Sequence, residues 1–220
     1  MLRPLLYYVT DRRAFSGDDI VQRRTLLDKI EEAAQAGIDY IQLREKDLAP
    51  RELESFASEA VARIRGARTR IANGKRGTTL LINSRTDVAI AVGANGVHIP
   101  ANDVSPVDVH RVWNSNRDSL VRLTISLSCH TLEDVCRAET DGADLAVFAP
   151  VFGKKDAPTR PPIGLEGLRA ACRSRIPLFA LGGVTLENAT ACLEAGAAGI
   201  AAIRLFQENN IAQLVSRLRP

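Results

Sequence analysis

One phrase recurs four times along the chain and narrows the choice of fold more than anything else: AGIDYI, VGANGV, DGADLA and AGAAGI, with glycines at Gly37, Gly93, Gly142 and Gly196. Each reads as the end of a helix capped by glycine, where a positive φ costs little, running directly into an apolar strand. The intervals are 56, 49 and 54 residues, about twice one strand-plus-helix unit. The caps then precede every second strand: two, four, six and eight. Eight units closed into a ring fit such a repeat better than an open sheet does.

Apolar runs supply the strands: Leu5 to Val9, Tyr40 to Leu43, Leu80 to Ile82, Gly96 to Ile99, Val121 to Ile125, Leu145 to Phe148, Leu178 to Leu181 and Ile200 to Ile203. Between them, apolar positions return every three or four residues, as in Ile20 to Ala36, Arg51 to Arg65, Leu132 to Thr140 and Glu187 to Ala195, the spacing of a helix with one buried face. Alternation of this kind predicts an α/β protein of parallel β-α units, a TIM (β/α)8 barrel forming a single domain over 1–220. With 45% apolar residues, mostly Ala, Leu, Val and Ile, 220 residues suffice for one substantial core, and a disordered chain is excluded.

The net charge of +3 offers no argument for nucleic acid. No window nears the roughly 18 apolar residues of a membrane span, and MLRPLLYYVTDRR meets Asp11 too soon for a secretory signal. A soluble, cytoplasmic protein is expected. Nothing argues for or against a homodimer. Cys129, Cys136, Cys172 and Cys192 form no C-x-x-C pair, so reduced, buried thiols are expected rather than zinc or disulfides.

A barrel of this type places its chemistry where strands end. Gln42, Arg44 and Lys46 alternate at the end of strand two, and period-two spacing points all three to one side. An amide, a guanidinium and an ammonium there suit a polyanion such as diphosphate. An ion network with Glu45 and Asp47 is the competing reading. After strand seven come Gly182 and Gly183, and after strand eight Arg204, where barrels often bind phosphate through backbone N–H groups. Asp103 and Asn83 offer hard oxygens to Mg²⁺, although Asp103 would equally cap a helix over 104–112. His130 follows strand five and could move protons near neutral pH, or be structural. His98 reads as a packed residue, His110 as surface helix, and the basic stretch 65–77 as a solvated loop on the opposite face.

Taken in order, YYVTD (7–11), GIDYIQLREKD (37–47), LLINSRTDVAIAVGANGVHIPANDV (80–104), SLSCH (126–130), GADLAVFAPVF (142–152), PLFALGGV (177–184) and GAAGIAAI (196–203) resemble the thiamin phosphate synthase and thiazole tautomerase superfamily across nearly the whole chain. The resemblance implies a TIM barrel of thiamin biosynthesis. On the synthase branch it implies a transferase of the thiamin-phosphate diphosphorylase type, coupling a hydroxymethylpyrimidine diphosphate to a thiazole phosphate with help from Mg²⁺. On the tautomerase branch it implies an isomerase that moves a proton on a thiazole carboxylate phosphate without metal, using a histidine at the position of His130.

Residue by residue, Gln42, Arg44 and Lys46 match the synthase Q-x-R-x-K, and Asp103 matches one of two metal-binding aspartates. Asn83, Ser128, Gly182, Gly183, Ile203 and Arg204 fall on substrate-contact positions. Three departures divide the reading. Ser84 replaces the other metal carboxylate. The loop after strand six reads PVFGKKDAPTRPP and lacks both family threonines, with Lys154 as a substrate contact and Lys155 as a catalytic candidate standing for the family lysine. Arg204 replaces a small hydroxyl residue. Synthase chemistry is the leading expectation, followed by tautomerase chemistry and by a barrel that binds a phosphate ligand without turnover.

Overall fold

A computed structural model describes residues 3–70, 77–116, 122–153 and 161–219. The chain runs β1 (Leu5–Val9), a 3₁₀ turn (Arg12–Ala14), α1 (Asp19–Ala36), β2 (Tyr40–Leu43), α2 (Pro50–Arg70), β3 (Thr79–Asn83), α3 (Thr86–Ala91), β4 (Gly96–Ile99) and α4 (Pro106–Ser115). It continues with β5 (Thr124–Cys129), α5 (Leu132–Thr140), β6 (Leu145–Phe148), α6 (Gly164–Ala171), β7 (Leu178–Ala180), α7 (Leu186–Glu194), β8 (Gly199–Ala202), α8 (Arg204–Gln207) and α9 (Ile211–Leu218). The strands close in sequence order into one parallel barrel, β8 pairing with β1.

The repeated glycines do what their spacing predicts. Gly37, Gly93, Gly142 and Gly196 have φ of 83°, 63°, 83° and 104°, the left-handed turn that reverses a helix toward the next strand. Two further glycines let strands approach: a Cβ on Gly96 would lie 1.9 Å from the Thr124 carbonyl oxygen, and one on Gly199 2.1 Å from that of Leu5. That contact is why β8 begins at Gly199, one residue before the apolar run.

Several boundaries move. Strand five was expected at 121–125, but the described strand is Thr124–Cys129, and Val121 lies outside the described residues. An apolar run is a poor guide here because the inward residues Thr124, Ser126 and Ser128 are polar, while Ile125, Leu127 and Cys129 face the helices. Residues 65–70 extend α2 rather than starting a loop, and 71–76 lie outside the described residues. The helix expected over 104–112 is Pro106–Ser115, capped by the Ser105 hydroxyl on the Asp108 N–H. Cys129 and Cys192 are buried and Cys172 half-buried, but Cys136 is exposed, against the expectation of four buried thiols. No described helix is long and apolar enough to cross a membrane.

Most apolar burial lies between strands and helices, where Leu6, Tyr8, Ile41, Leu80, Ile82 and Val97 meet the inner faces of the helices. A smaller apolar cluster fills the barrel itself: Tyr7, Val9, Leu81, Leu145, Val147, Phe179 and Ala201. The register aligns Val9 with Gln42 and Gln42 with Leu81, then Asn83 with His98 and His98 with Ser126. The interior is therefore lopsided, apolar near β1, β6 and β7 and polar across β2 to β5.

Candidate active site

The polar half of the interior is a single hydrogen-bonded array. Asn83 donates through Nδ2 to Ser84 Oγ at 3.1 Å and accepts at Oδ1 from Gln42 Nε2 at 2.9 Å. Gln42 Oε1 in turn takes the Tyr7 hydroxyl at 3.2 Å. Tyr7 Oη lies 3.1 Å from His98 Nδ1, which also meets Ser126 Oγ at 2.9 Å, while His98 Nε2 meets Ser128 Oγ at 2.8 Å. The Tyr7 hydroxyl also lies 3.2 Å from Ser126 Oγ, so its one proton has both Gln42 Oε1 and Ser126 Oγ within reach as acceptors. In a neutral His98 one ring nitrogen donates into this array and the other accepts.

Burial shapes this array electrostatically. His98 is only 3% exposed; loss of solvation, reinforced by the charges of Arg44 and Lys46, pulls its pKa from 6.5 down to about 3. Tyr7 is fully buried and its phenol is pushed well above its ordinary value, chiefly by the same desolvation. Both are neutral at physiological pH. His98 is thus packed, as its apolar surroundings suggest, but it is also the junction of the array. Its register opposite Ser126 comes from strand pairing, which no pattern local to His98 or Tyr7 reveals.

Above this floor stand the cations of the β2–α2 segment. Arg44 is half-buried and Lys46 exposed, and the charges of both act on His98; β2 ends at Leu43, so the strand's period of two stops short of them. The competing ion network exists, but with a different partner. Glu45 and Asp47 turn the other way, onto Arg12, with Nη1 at 3.2 Å from Glu45 Oε2 and 2.7 Å from Asp47 Oδ1. Arg12 also holds Asp19 through Nε at 3.0 Å. Among the described residues neither Arg44 nor Lys46 forms a salt bridge.

Around the rim, His130 Nδ1 lies 2.6 Å from the Ala149 carbonyl oxygen. Because that oxygen has no proton, Nδ1 carries one, and Nε2 is the nitrogen left to accept or exchange protons when the ring is neutral. The backbone N–H of His130 donates to Asp134 Oδ2 at 2.9 Å, and Asp134 completes a capping box with Thr131 at the start of α5. Ala149–Pro150 is a cis peptide, and Pro150 leads the β6 loop across to the loop after β7. There Gly182, at φ 94°, leaves room for the chain: a Cβ would sit 2.8 Å from Pro150 Cα. Gly183 is exposed and Ile203 packs against the interior cluster. Arg204 opens α8 and is exposed. Lys154 and Lys155 lie outside the described residues.

The oxygen donors are few. Asp103 is exposed, with Oδ1 accepting from the Val104 N–H at 2.8 Å rather than capping α4. Ser84 offers only a neutral hydroxyl, held on a left-handed backbone with φ 63°. No group of three or more His, Cys, Asp or Glu among the described residues is placed to hold a metal. Mg²⁺ typically takes one or two carboxylates and completes its shell with water and substrate phosphate. Asp103 and Ser84 offer one carboxylate and one hydroxyl, a set that fits an ion whose further ligands come from a phosphorylated substrate.

The family model for thiamine monophosphate synthase matches residues 6–206. The chain is 37% identical over 202 residues to the thiamine-phosphate synthase of Albidiferax ferrireducens, covering 90% of this chain and 82% of that one. It is 33% identical over 203 residues to the thiamine-phosphate synthase of Roseiflexus castenholzii, covering 91% and 80%. Among solved structures, thiamine phosphate pyrophosphorylase from Pyrococcus furiosus superposes with a TM-score of 0.77 at 28% identity, covering 98% of this chain and 94% of that one.

Proposed function

Because the chain belongs to the thiamine monophosphate synthase family, we propose that its barrel mouth couples hydroxymethylpyrimidine diphosphate to thiazole phosphate, releasing thiamin phosphate and diphosphate. The observation that carries this reading is the pair Arg44 and Lys46. Their charges act on His98, while the adjacent carboxylates of Glu45 and Asp47 are bound to Arg12. Two cations without carboxylate partners suit a ligand with several negative charges.

In the coupling step the bond between the pyrimidine methylene carbon and the diphosphate oxygen breaks, its electron pair leaving with the oxygen. The lone pair of the thiazole nitrogen forms the new carbon–nitrogen bond. Charge grows on the leaving group, so fixed cations close to it lower the barrier more than they stabilise the ground state. Arg44 and Lys46 take that role. Mg²⁺ docked at Asp103 would supply further charge neutralisation to the diphosphate. Beneath it, Gln42, Asn83 and Ser128 present a neutral floor of donors and acceptors to the pyrimidine ring. Gly182, Gly183, Ile203 and Arg204 form the phosphate side for the thiazole.

A second reading, proton transfer on a thiazole carboxylate phosphate, is favoured by two observations: the tautomer of His130 that leaves Nε2 as base, and Ser84 in place of a carboxylate. One assay separates them. Purified protein is incubated with the pyrimidine diphosphate, thiazole phosphate and Mg²⁺, and separately with the thiazole carboxylate phosphate. Thiamin phosphate in the first tube supports coupling. Product only in the second assigns the isomerase, and affinity without product in either assigns a binding barrel.

A further inference from the structure

Arg12 itself has been given no role so far, yet it is the most heavily partnered charge near the mouth. The residue is 4% exposed, and its guanidinium meets Asp19, Glu45 and Asp47. Its own backbone N–H donates to Glu45 Oε2 at 3.1 Å. The other oxygen of Glu45 takes the Thr10 hydroxyl at 2.6 Å, and that hydroxyl accepts from the Arg44 N–H at 2.9 Å. The loop after β1 is thereby bolted to the segment that carries both cations of the mouth.

The alternation of charge in that segment, Arg44, Glu45, Lys46 and Asp47, gives the bolt its meaning. Four neighbouring charges of alternating sign would ordinarily neutralise one another locally. Here Arg12 draws both carboxylates to the side away from His98, and its hydrogen bonds hold the Asp47 carboxyl well below the usual carboxylate range. We propose that Arg12 is the positioning residue of the anion-binding face: by engaging Glu45 and Asp47 it keeps them off Arg44 and Lys46, which are then left for diphosphate. The inference rests on the diphosphate reading of the mouth, and extends it to a residue that touches no substrate.

The test is calorimetric binding of inorganic diphosphate to the full chain at low salt, for the wild type and for Arg12→Met, Arg12→Lys and the double variant Arg12→Met with Asp47→Asn. Released by Arg12→Met, Asp47 falls back on the cations, and affinity should drop about tenfold or more, the scale of one charge pair close to the surface. Arg12→Lys, which keeps the charge but not the fork, should fall between. The double variant should regain most of the affinity, because Asp47 no longer competes while Glu45 stays held by the Thr10 hydroxyl and the backbone N–H of residue 12. A merely structural Arg12 predicts the opposite, since removing a second member of the network loosens the loop further. Wild-type affinity in Arg12→Met, or a double variant weaker than the single one, overturns the inference alone. Absence of diphosphate binding in the wild type overturns the reading beneath it and the inference together. Should Arg12→Met not fold, Arg12→Lys with and without Asp47→Asn decides by the same comparison.

Discussion

Acid should unfold this protein partly through one buried imidazole. His98 is 3% exposed, with both ring nitrogens hydrogen-bonded, and its pKa falls from 6.5 to about 3 on folding. The sign follows from linkage: between those values the unfolded chain binds a proton that the folded chain refuses, so stability rises with pH. The contribution is complete above about pH 6.5 and drains away as the solution is acidified toward pH 3, at up to ~1.4 kcal/mol per pH unit. By pH 5 roughly 2 kcal/mol of it is lost, a sizeable part of the 5–15 kcal/mol typical of a domain. His98→Gln keeps a donor and an acceptor but cannot titrate. Urea unfolding of both proteins at pH 7 and pH 5, at one salt concentration, isolates the imidazole. Carboxylates such as Asp47 and Asp134, whose pKa values are lowered, contribute equally to both proteins. The wild type should lose about 2 kcal/mol more than the variant between the two conditions. An equal loss would mean that His98 is not held neutral in the fold, and the neutral floor of the mouth would go with it.

Arg44→Ala should weaken binding of diphosphate by about 1–3 kcal/mol, the range for hydrogen bonds to a charged group, and unchanged calorimetric affinity would remove the basis for the coupling reading. Ser84→Asp returns a carboxylate beside Asn83 and should increase dependence on Mg²⁺; a metal titration identical to that of the wild type would place the ion elsewhere. Gly96→Ala forces a Cβ to within 1.9 Å of the Thr124 carbonyl oxygen, backbone against backbone, and should destabilise by about 3 kcal/mol or more. A melting temperature within a degree or so of the wild type would show that β4 and β5 are not so close.

Much of the architecture was readable from residue order alone, because it depends on local rules. Gly37, Gly93, Gly142 and Gly196 mark helix ends whatever surrounds them, since a positive φ is cheap only without a Cβ. Apolar runs located β2, β4 and β6 to the residue. Alternation puts Gln42 on the face opposite to Ile41 and Leu43 because a strand has a period of two. These are properties of neighbours in the chain.

What stayed hidden belongs to residues distant in sequence. Tyr7, His98 and Ser126 are joined by hydrogen bonds spanning 91 and 28 positions, and no local pattern tells a buried histidine with three polar partners from one packed among apolar groups. Strand five was misplaced because its inward residues are polar, and they are polar because β4 lies opposite. Nothing beside Arg12 in the sequence marks it, and only closure of the barrel carried Glu45 and Asp47 to it. Coulomb energy and desolvation depend on separations in space, so the charge state of the mouth was settled when the ring closed and not before.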